Sequence, residues 1–550
     1  MSKTLINPLP LPYPYVHLGD VCFRELSDPS LVLFKGIYYL FPSMAGGFYY
    51  SFDLVEWEFH RNLSLHLGRT SPCAQVLGNQ LVLCAEADTL SFLITEEPLF
   101  DHWETVSTTL TMQEPAFFQD EDGRLYLYGT QDQGASIVGQ ELQPETFQPL
   151  TEPVRLIERN PEWIGFERTE RRKKTVLSGP FLNRWGGKYY LQYAAPAFSS
   201  PTLGDGVYTS SHPLGPYVPQ PHTAFSLKPG GFVKGAGHGS TVTDVYGNLW
   251  HCAALPIGMN APEEARLGLF PAGLDADGTL FCSQSFSDYP QALPLGRFDP
   301  LSIKPRWMLL SYQAHAQASS ALDEYPPELA VDEDIRTCWC AAGGTGEWLL
   351  LDLGAAKTVY AVQINLADLQ VPSKAVADSL KINHRYLDLD AKRRTRWTLE
   401  ASMDQQHWTM LSDQSSAATD LPHDYVELEA PVTARYIKLT AVELPYKQLF
   451  AVSGLRVFGT SETPAPSEVI TVLSTKEDDQ TVSLAWAPSD HAQGYRIRYG
   501  IRPDQLYASE LVYDAAKTRL SALNAGYHYY AAVDAFGEGG ITEGEVFKIS

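Results

Sequence analysis

Two carboxylates, a histidine and two serines stand at the first or second position of five similar stretches in the first part of this chain: Asp28, Ser71, Glu114, Ser178 and His238. Two carboxyl groups can divide general-base and general-acid work between them. A histidine beside them can organise a water molecule or a metal ion. This chemistry needs residues that are far apart in sequence to meet at one point, so the elements that carry them must repeat around a common axis.

The five stretches share one pattern, in which a short apolar segment and a glycine turn precede a strand rich in Tyr and Leu. They read SDPSLVLFKGIYYLF (27–41), SPCAQVLGNQLVLC (71–84), EPAFFQDEDGRLYLY (114–128), SGPFLNRWGGKYYLQY (178–193) and HGSTVTDVYGNLWHC (238–252). Hairpins that recur every roughly 40–60 residues are typical of radial β architectures. The pattern therefore predicts an all-β protein that begins with a five-bladed β-propeller, rather than ordinary sandwich hairpins. We expect the first residue of each copy to lie where an innermost strand enters the central channel.

Composition excludes several classes of partner. The formal net charge of −24 argues against nucleic acid and anionic membranes, which both bind clustered Lys and Arg. No apolar run approaches the roughly 20 residues that a membrane-spanning helix needs. The N-terminus lacks a charged segment followed by an apolar one, which predicts a cytoplasmic protein or a secreted protein whose leader has been removed. Seven cysteines without CxxC pairing favour reduced core thiols.

Changes in composition and residue pattern along the chain predict three domains. The repeats end near Cys282, and the proline-bearing stretch 283–312 is a connector that completes a first domain, 1–312. Residues 313–461 alternate strands with polar turns, as an antiparallel sandwich does. A second proline-bearing linker, ETPAPSE (462–468), begins a third domain that extends to residue 550.

The second domain carries three ordered motifs, AVDEDIRTCWCAAGGTGEWLLLDLG (330–354), TRWTLEASMDQQHW (395–408) and ARYIKLTAVELPYKQLFAVSGLRVFG (434–459). They resemble the discoidin, or coagulation factor 5/8 type C, fold of family 32 carbohydrate-binding modules. The resemblance implies a jelly-roll β-sandwich and a structural Ca²⁺ near Asp332 and Thr337. Relatives of this module either bind sugar or act as spacers.

The third domain contains VSLAWAPSDHAQGYRIRYG (482–500) and AGYHYYAAVDAFGEGG (525–540). Trp486, Tyr495 and Tyr527 stand where a fibronectin type III domain keeps its core aromatics. The resemblance implies a second β-sandwich, and such domains usually serve as spacers.

The propeller motifs resemble glycoside hydrolase family 43 over residues 15–282. The resemblance is carried by DPSLVLFKGIYYLF, PAFFQDEDGRLYLYG, GPFLNRWGGKYYLQYAA and GAGHGSTVTDVYGN. It implies that Asp28 is the general base and that Glu114 occupies the position that tunes and orients the acid. Ser178 occupies the position of the acid itself, and His238 the position that often binds a central metal ion, for which Ca²⁺ is the candidate, or a water.

Two of these positions depart from the family. Glu114 replaces an aspartate and is one methylene longer, and Ser178 replaces a glutamate with a hydroxyl that cannot protonate a leaving alkoxide. Three explanations stay open. Glu167 takes over as the acid, with Glu162 and Glu170 as weaker candidates; the propeller has drifted towards sugar binding or weak activity; or Ser178 is a substitution introduced to trap a ligand.

The resulting prediction is an inverting, exo-acting glycosidase that removes terminal arabinofuranosyl, xylosyl or galactosyl residues from plant-type glycans. Inversion needs two carboxyl groups roughly 6.5–9.5 Å apart, and a propeller channel can supply that spacing. The alternative is a catalytically impaired or non-catalytic carbohydrate-binding propeller. The candidate sugar contacts are Tyr50, Trp163, Phe166, Arg168 and Phe181. Motifs for nucleotides and other organic cofactors are absent from the sequence, so the expected partner is an oligo- or polysaccharide, and no oligomeric state is predicted.

Overall fold

A computed structural model describes residues 3–65, 71–85, 88–168, 175–197, 200, 202–222, 224–369, 371, 379–382, 385–388 and 394–549. Within these ranges strands dominate, which confirms the all-β prediction. The helices there are single 3₁₀ turns: Leu63–Leu65, Pro98–Phe100, Gly165–Glu167, Pro300–Ser302, Pro327–Ala330 and Pro445–Lys447.

Five antiparallel sheets form the predicted propeller. The innermost strand of each blade contacts the innermost strand of the next blade. The innermost strands of blades five and one are also in contact, so the ring closes. Blade one is Ser27–Phe34, Ile37–Ser43, Gly47–Ser51 and Glu58–Arg61; blade two is Cys73–Leu77, Gln80–Cys84, Ser91–Thr95 and Glu104–Ser107; blade three is Gln113–Gln119, Leu125–Gln131, Ser136–Leu142 and Val154–Glu158; blade four is Ser178–Trp185, Lys188–Ala195, Gly204–Ser210 and Val218–Pro219, with Ser226–Leu227 added; blade five is Gly237–Thr243, Leu249–Pro256, Ala265–Leu274 and Leu280–Cys282.

Sequence chemistry explains these blades. The hairpin between the first two strands of a blade turns at a glycine, such as Gly36 or Gly123, with φ of 81° and 86°. A positive φ of this kind is accessible to glycine without a steric penalty. Buried Tyr, Phe and Leu side chains then pack between neighbouring blades, which holds the inner strands around the axis.

The second domain is built on an eight-stranded antiparallel sheet. Met308–Leu309 pairs with the last strand of that sheet, although the predicted boundary at 312 assigns these residues to the connector. The strands of the eight-stranded sheet are Met308–Leu309, His315–Ala318, Trp339–Cys340, Trp348–Leu366, Arg396–Ser402, Trp408–Asp413, His423–Glu443 and Ala451–Thr460.

The third domain has a three-stranded and a five-stranded sheet. Trp486 and Tyr495 lie in its core, as predicted, but Tyr527 is 37% exposed and its ring packs against Trp163 of the propeller. The prediction of a core role for Tyr527 is therefore wrong. The strands are Val472–Asp478, Thr481–Trp486, Lys517–Leu520, Gly494–Gly500, Ala508–Tyr513, Tyr530–Gly537, Gly540–Thr542 and Phe547–Lys548.

Further short strands form two small sheets, one within the first domain and one between the first and second domains. Thr4–Leu5 pairs with Gln291–Ala292 within the first domain. The hairpin of Tyr15–Leu18 and Val21–Arg24 pairs with Arg385–Asp388, which in turn pairs with Ser379–Ile382, so two domains share one four-stranded sheet. The sequence patterns did not predict this sheet, because pairing between distant segments leaves no local signature.

The chemical expectations about cysteines agree with the structure. All seven cysteines are free and buried. Burial raises the pKa of the Cys73 thiol to about 12 and that of Cys340 to about 11, which keeps both protonated and inert.

Among the described residues, no helix has the length and apolar character needed to span a membrane.

Candidate active site

The channel entry is marked by one residue of each blade with a left-handed backbone. Asp28, Ser71, Glu114 and His238 have φ between 47° and 56°. Such values are uncommon for residues other than glycine and are costly, so their recurrence at one ring indicates a constrained site. Four of the five predicted ring positions are therefore equivalent in the structure.

In blade four the equivalent position is Gly179, with φ of 51°, and not Ser178. The first hairpins of blades one, three, four and five each contain a pairing irregularity after their first residue, and Ser178 aligns there with Ser27, Gln113 and Gly237. The prediction placed Ser178 in the ring, and it is wrong by one residue. The repeat carried a signal that the prediction missed, because the ring residue directly precedes a proline in each of blades one to four, and in blade four that residue is Gly179.

Gly179 makes room for the histidine of the ring. A Cβ atom on Gly179 would lie 2.9 Å from three ring atoms of His238, closer than side chains tolerate. Glycine is therefore required twice here, by its backbone conformation and by the imidazole beside it.

We expect Gly179→Ala to displace the imidazole and lower both stability and ligand binding. Gly186→Ala is the matched control, because Gly186 has a similar φ of 57° but a Cβ atom added there would meet nothing within 4 Å. Both variants bear the cost of a left-handed alanine, about 1–2 kcal/mol. Thermal unfolding measures the loss of stability that the two variants share. Glycan binding measures the displacement of the His238 imidazole, which only Gly179→Ala should cause. Equal binding by the two variants would contradict this role for Gly179.

Asp28 is held on both carboxylate oxygens. Oδ2 accepts a hydrogen bond from the Ser43 hydroxyl at 2.7 Å, and the Ser71 backbone N–H lies 3.4 Å from the same oxygen. Oδ1 lies 3.2 Å from Nδ1 of His238. The side chain is only 10% exposed, so one carboxylate is fixed at the cavity with a defined orientation.

Glu114 stands on the other side of the same imidazole. Its Oε1 lies 3.7 Å from Nε2 of His238, and its Oε2 accepts a hydrogen bond from the Gly179 backbone N–H at 3.0 Å. One imidazole ring thus separates the Asp28 and Glu114 carboxylates. The extra methylene of Glu114, relative to aspartate, lets its carboxylate reach the backbone of blade four.

His238 is the positive centre of this group. Burial by itself would lower the pKa of the imidazole, but Asp28, Glu114 and Asp205 outweigh burial and raise it to about 10. Asp205 also fixes the backbone, because its carboxylate accepts hydrogen bonds from the N–H groups of His238 and Gly239 at 2.7 and 2.9 Å. The site is therefore an imidazolium between two carboxylates.

A small cavity of about 30 Å³ lies at this point on the axis. It has room for about one water molecule. Asp28, Glu114 and His238 line it, and Phe181 is the one predicted sugar-contact residue that does so.

Glu167 is not arranged as a proton donor to this cavity. Its side chain is fully buried, one oxygen accepts a hydrogen bond from the Tyr193 hydroxyl at 2.7 Å, and the other accepts from the Asn160 N–H at 2.6 Å. Burial raises the pKa of this carboxyl to about 7, which is suitable for an acid, but Glu167 is not among the residues that line the cavity. Glu162 does not line it either, and Glu170 lies outside the described residues.

The neighbouring candidates have structural roles at other places. Trp163 packs against Tyr527, and Arg168 pairs with Asp478 at 2.9 Å, so both contact the third domain. Phe166 is buried against Tyr193. Tyr50 donates a hydrogen bond to Glu58 on the outer strand of blade one. None of these four predicted sugar contacts lines the cavity at the axis, because segment 160–168 contacts the third domain and Tyr50 lies in the third strand of blade one.

The predicted calcium positions do not have the donor groups that the ion needs. Ca²⁺ takes roughly 6–8 oxygen ligands. Asp332 accepts hydrogen bonds from Thr337 at 2.6 Å and from the Asp334 N–H at 3.0 Å, while Asp334 pairs with Arg336 and Lys234. Nowhere in the described ranges do three His, Cys, Asp or Glu side chains converge in a way that could hold a metal ion.

The histidine of the ring does not fit a metal ion in this arrangement either. A metal ligand must offer a neutral ring nitrogen, and both nitrogens of His238 face carboxylates. As arranged, neither predicted metal position fits Ca²⁺.

Two residues of the site escaped the sequence reasoning. Ser43 ends the second strand of blade one, and Asp205 is a buried acid in the third strand of blade four. A charged residue within the otherwise apolar and small-residue stretch 203–208 was the available signal for Asp205. Ser43 carried none, because serine is common at strand ends.

Comparisons with known proteins agree with the two larger resemblances. Residues 101–263 match the model of a family described as glycosyl hydrolases family 43. Residues 329–439 match the model of a family described as NedA-like, galactose-binding domain. No curated protein matches the chain.

Solved structures that are similar to the chain have low identities to it. A glycoside hydrolase is 14% identical with a TM-score of 0.46, and the match covers 78% of this chain and 97% of that chain. The GH43 protein BlXynB of Bacillus licheniformis is 14% identical with a TM-score of 0.42, covering 100% and 96%. The Bacteroides ovatus protein "Xyloglucan PUL GH43B" is 14% identical with a TM-score of 0.44, covering 83% and 98%. At TM-scores below 0.5 these similarities support no further conclusion.

Proposed function

The chain carries a glycoside hydrolase family 43-like propeller followed by a discoidin-like domain, and from this premise we propose that it hydrolyses glycosides with inversion. The proposed substrates are plant-type glycans, from which it removes a terminal arabinofuranosyl, xylosyl or galactosyl residue. The observation that carries the proposal is the fixed Asp28 carboxylate beside a cavity with room for one water.

Asp28 acts as the general base in this proposal. Ser43 and His238 each contact one oxygen of its carboxylate and so orient it, and the positive charge of His238 compensates its negative charge. A water in the cavity gives a proton to Asp28 while its oxygen attacks the anomeric carbon, and the bond to the leaving oxygen breaks on the opposite face.

Glu114 is placed to orient the site rather than to donate the proton. Contacts of 3.2 and 3.7 Å join the Asp28 and Glu114 carboxylates to opposite nitrogens of the His238 ring. The proposal of inversion therefore rests on Asp28 acting as the base toward a water in the cavity.

The leaving oxygen lacks a conventional proton donor. The acid position holds Ser178, whose hydroxyl is far too weak an acid, and Glu167 is enclosed. Substrates whose leaving group needs no protonation should therefore be hydrolysed best. The same observation favours a second candidate function, a propeller that binds a glycan without cleaving it.

The experiment is to incubate the protein with para-nitrophenyl α-L-arabinofuranoside, β-D-xyloside and β-D-galactoside and to follow the first-formed sugar by proton NMR. We expect one of the three to release the anomer opposite to that of the substrate. Release of the retained anomer would contradict the mechanism. Binding of the corresponding sugars without any release of para-nitrophenol would establish the second candidate.

A further inference from the structure

A much larger cleft lies between the propeller and the second domain. Its volume is about 480 Å³, against about 30 Å³ for the cavity at the axis. Pockets that bind organic ligands typically measure about 300–1,000 Å³. The outer strand of blade one and the segment 12–15 form one wall, and residues 387–388, 394 and 418–420 form the other.

The composition of this interdomain cleft suits a neutral, hydroxyl-rich ligand. Trp57 and Phe59 present aromatic surface from blade one, and Phe59 is 38% exposed. Arg61 and Arg394 line opposite walls, where Arg394 Nε donates a hydrogen bond to the Ala418 carbonyl and Asp420 pairs with Arg24. Aromatic faces with a few placed polar groups are the usual lining of a small-molecule or glycan site.

The cleft is rigidly built from both domains. Val16 pairs with Leu387 in the shared sheet. Below it, the fully buried guanidinium of Arg24 contacts Asp368 at 3.1 Å and Asp420 at 3.3 Å, and Arg385 contacts Glu25 at 2.7 Å. Removing one partner of such a buried charge pair is strongly destabilising, so these pairs and the shared sheet both connect the two walls. Preorganised walls lower the entropy that binding costs.

The cleft also begins next to the base. Ser43, which holds Asp28, is followed after one residue by Ala45 and Gly46, and both line the cleft. Two residues of extended chain span no more than about 7 Å. The lining of the cleft therefore begins within about 7 Å, measured along the chain, of the serine that orients Asp28.

We propose that the interdomain cleft binds the part of the glycan chain that follows the terminal sugar, so that the second domain contributes to substrate binding. The direction in which the glycan runs, from the axis into the cleft, rests on the proposed function. The proposal assigns the second domain a role in the active site, beyond that of a spacer or an independent sugar-binding module.

The test is a binding experiment in an Asp28→Asn background, which blocks turnover. Dissociation constants of arabinohexaose, xylohexaose and galactohexaose are measured for the Asp28→Asn protein, for the added substitutions Phe59→Ala and Arg394→Ala, and for Phe100→Ala as control. Phe100 is 77% exposed in blade two and does not line the cleft. We expect Phe59→Ala and Arg394→Ala to weaken binding of one hexasaccharide about tenfold, whereas Phe100→Ala leaves it unchanged.

The proposal would be overturned if no hexasaccharide bound, or if the two cleft variants bound it as tightly as Phe100→Ala does. It would also be overturned if the cleft substitutions weakened the binding of a monosaccharide as much as that of the hexasaccharide. Unfolding temperatures confirm that each variant is folded, and the two substitutions lie on walls of different domains, so a fold defect in one leaves the other informative. Turnover of para-nitrophenyl glycosides by the protein with Asp28 intact is the separate measure of the proposed function. Cleft-dependent binding without turnover would refute that function and leave the cleft proposal standing.

Discussion

Asp28→Asn is expected to reduce turnover of the best aryl glycoside by about 10²–10⁴-fold, the contribution of general-base catalysis. An asparagine side chain keeps the size of the carboxylate, and its oxygen can still accept the Ser43 hydrogen bond, but it cannot take a proton from the attacking water. Initial rates of para-nitrophenol release with substrate in excess measure the effect.

Asp122→Asn is the matched control for that variant. Asp122 is an exposed turn residue of blade three that pairs with Arg124, so the same chemical change is made far from the axis. We expect control and unsubstituted protein to hydrolyse the substrate at the same rate and to unfold at the same temperature. Undiminished activity of a folded Asp28→Asn protein would exclude Asp28 as the base.

Ser178→Glu is expected to raise the rate on substrates with poor leaving groups, such as alkyl glycosides and natural disaccharides, by about 10²–10⁴-fold. The glutamate would return a proton donor to the position that the family uses for its acid. The rate on para-nitrophenyl glycosides should change far less, because para-nitrophenolate leaves without protonation. The ratio of the two rates measures protonation specifically.

Ser178→Gln separates acid chemistry from a change in packing. Ser178 is buried, so any longer side chain must be accommodated, and glutamine matches glutamate in shape without an acidic proton. The expected result is a gain with glutamate alone. A gain with both would assign the effect to packing, and a gain with neither, in folded proteins, would mean that the acid position cannot be restored and that the chain functions as a binding protein or with another donor.

Local sequence determined the architecture of the first domain almost completely. Five copies of a hairpin with a turn glycine can bury their Tyr- and Leu-rich strands only against neighbouring copies, so repetition itself predicts the ring. It also brought Asp28, Glu114 and His238 together, because equivalent residues of a repeat occupy equivalent places around an axis. The departure at Ser178, the position that the family resemblance assigns to the acid, was visible for the same reason.

The register of blade four was within reach of the repeat but was misread. The ring residue directly precedes a proline in blades one to four, and this pattern selects Gly179 over Ser178. The packing of Glu167, in contrast, had no such signal. Its sequence neighbours are charged, as in an exposed loop, yet Tyr193 and Asn160 enclose it in the packed protein.

The sequence by itself thus determined the repeating elements and the identity of the reactive side chains, both of which are properties of short segments. Only the tertiary structure decided that Glu167 is enclosed away from the axis, and it alone created the interdomain cleft. A cleft between Trp57 and Arg394 depends on the pairing of Tyr15–Leu18 with Arg385–Asp388 and on the buried charges of Arg24 and Asp368. Contacts between residues more than 300 positions apart are selected by the free energy of the whole packed chain, and no local pattern encodes them.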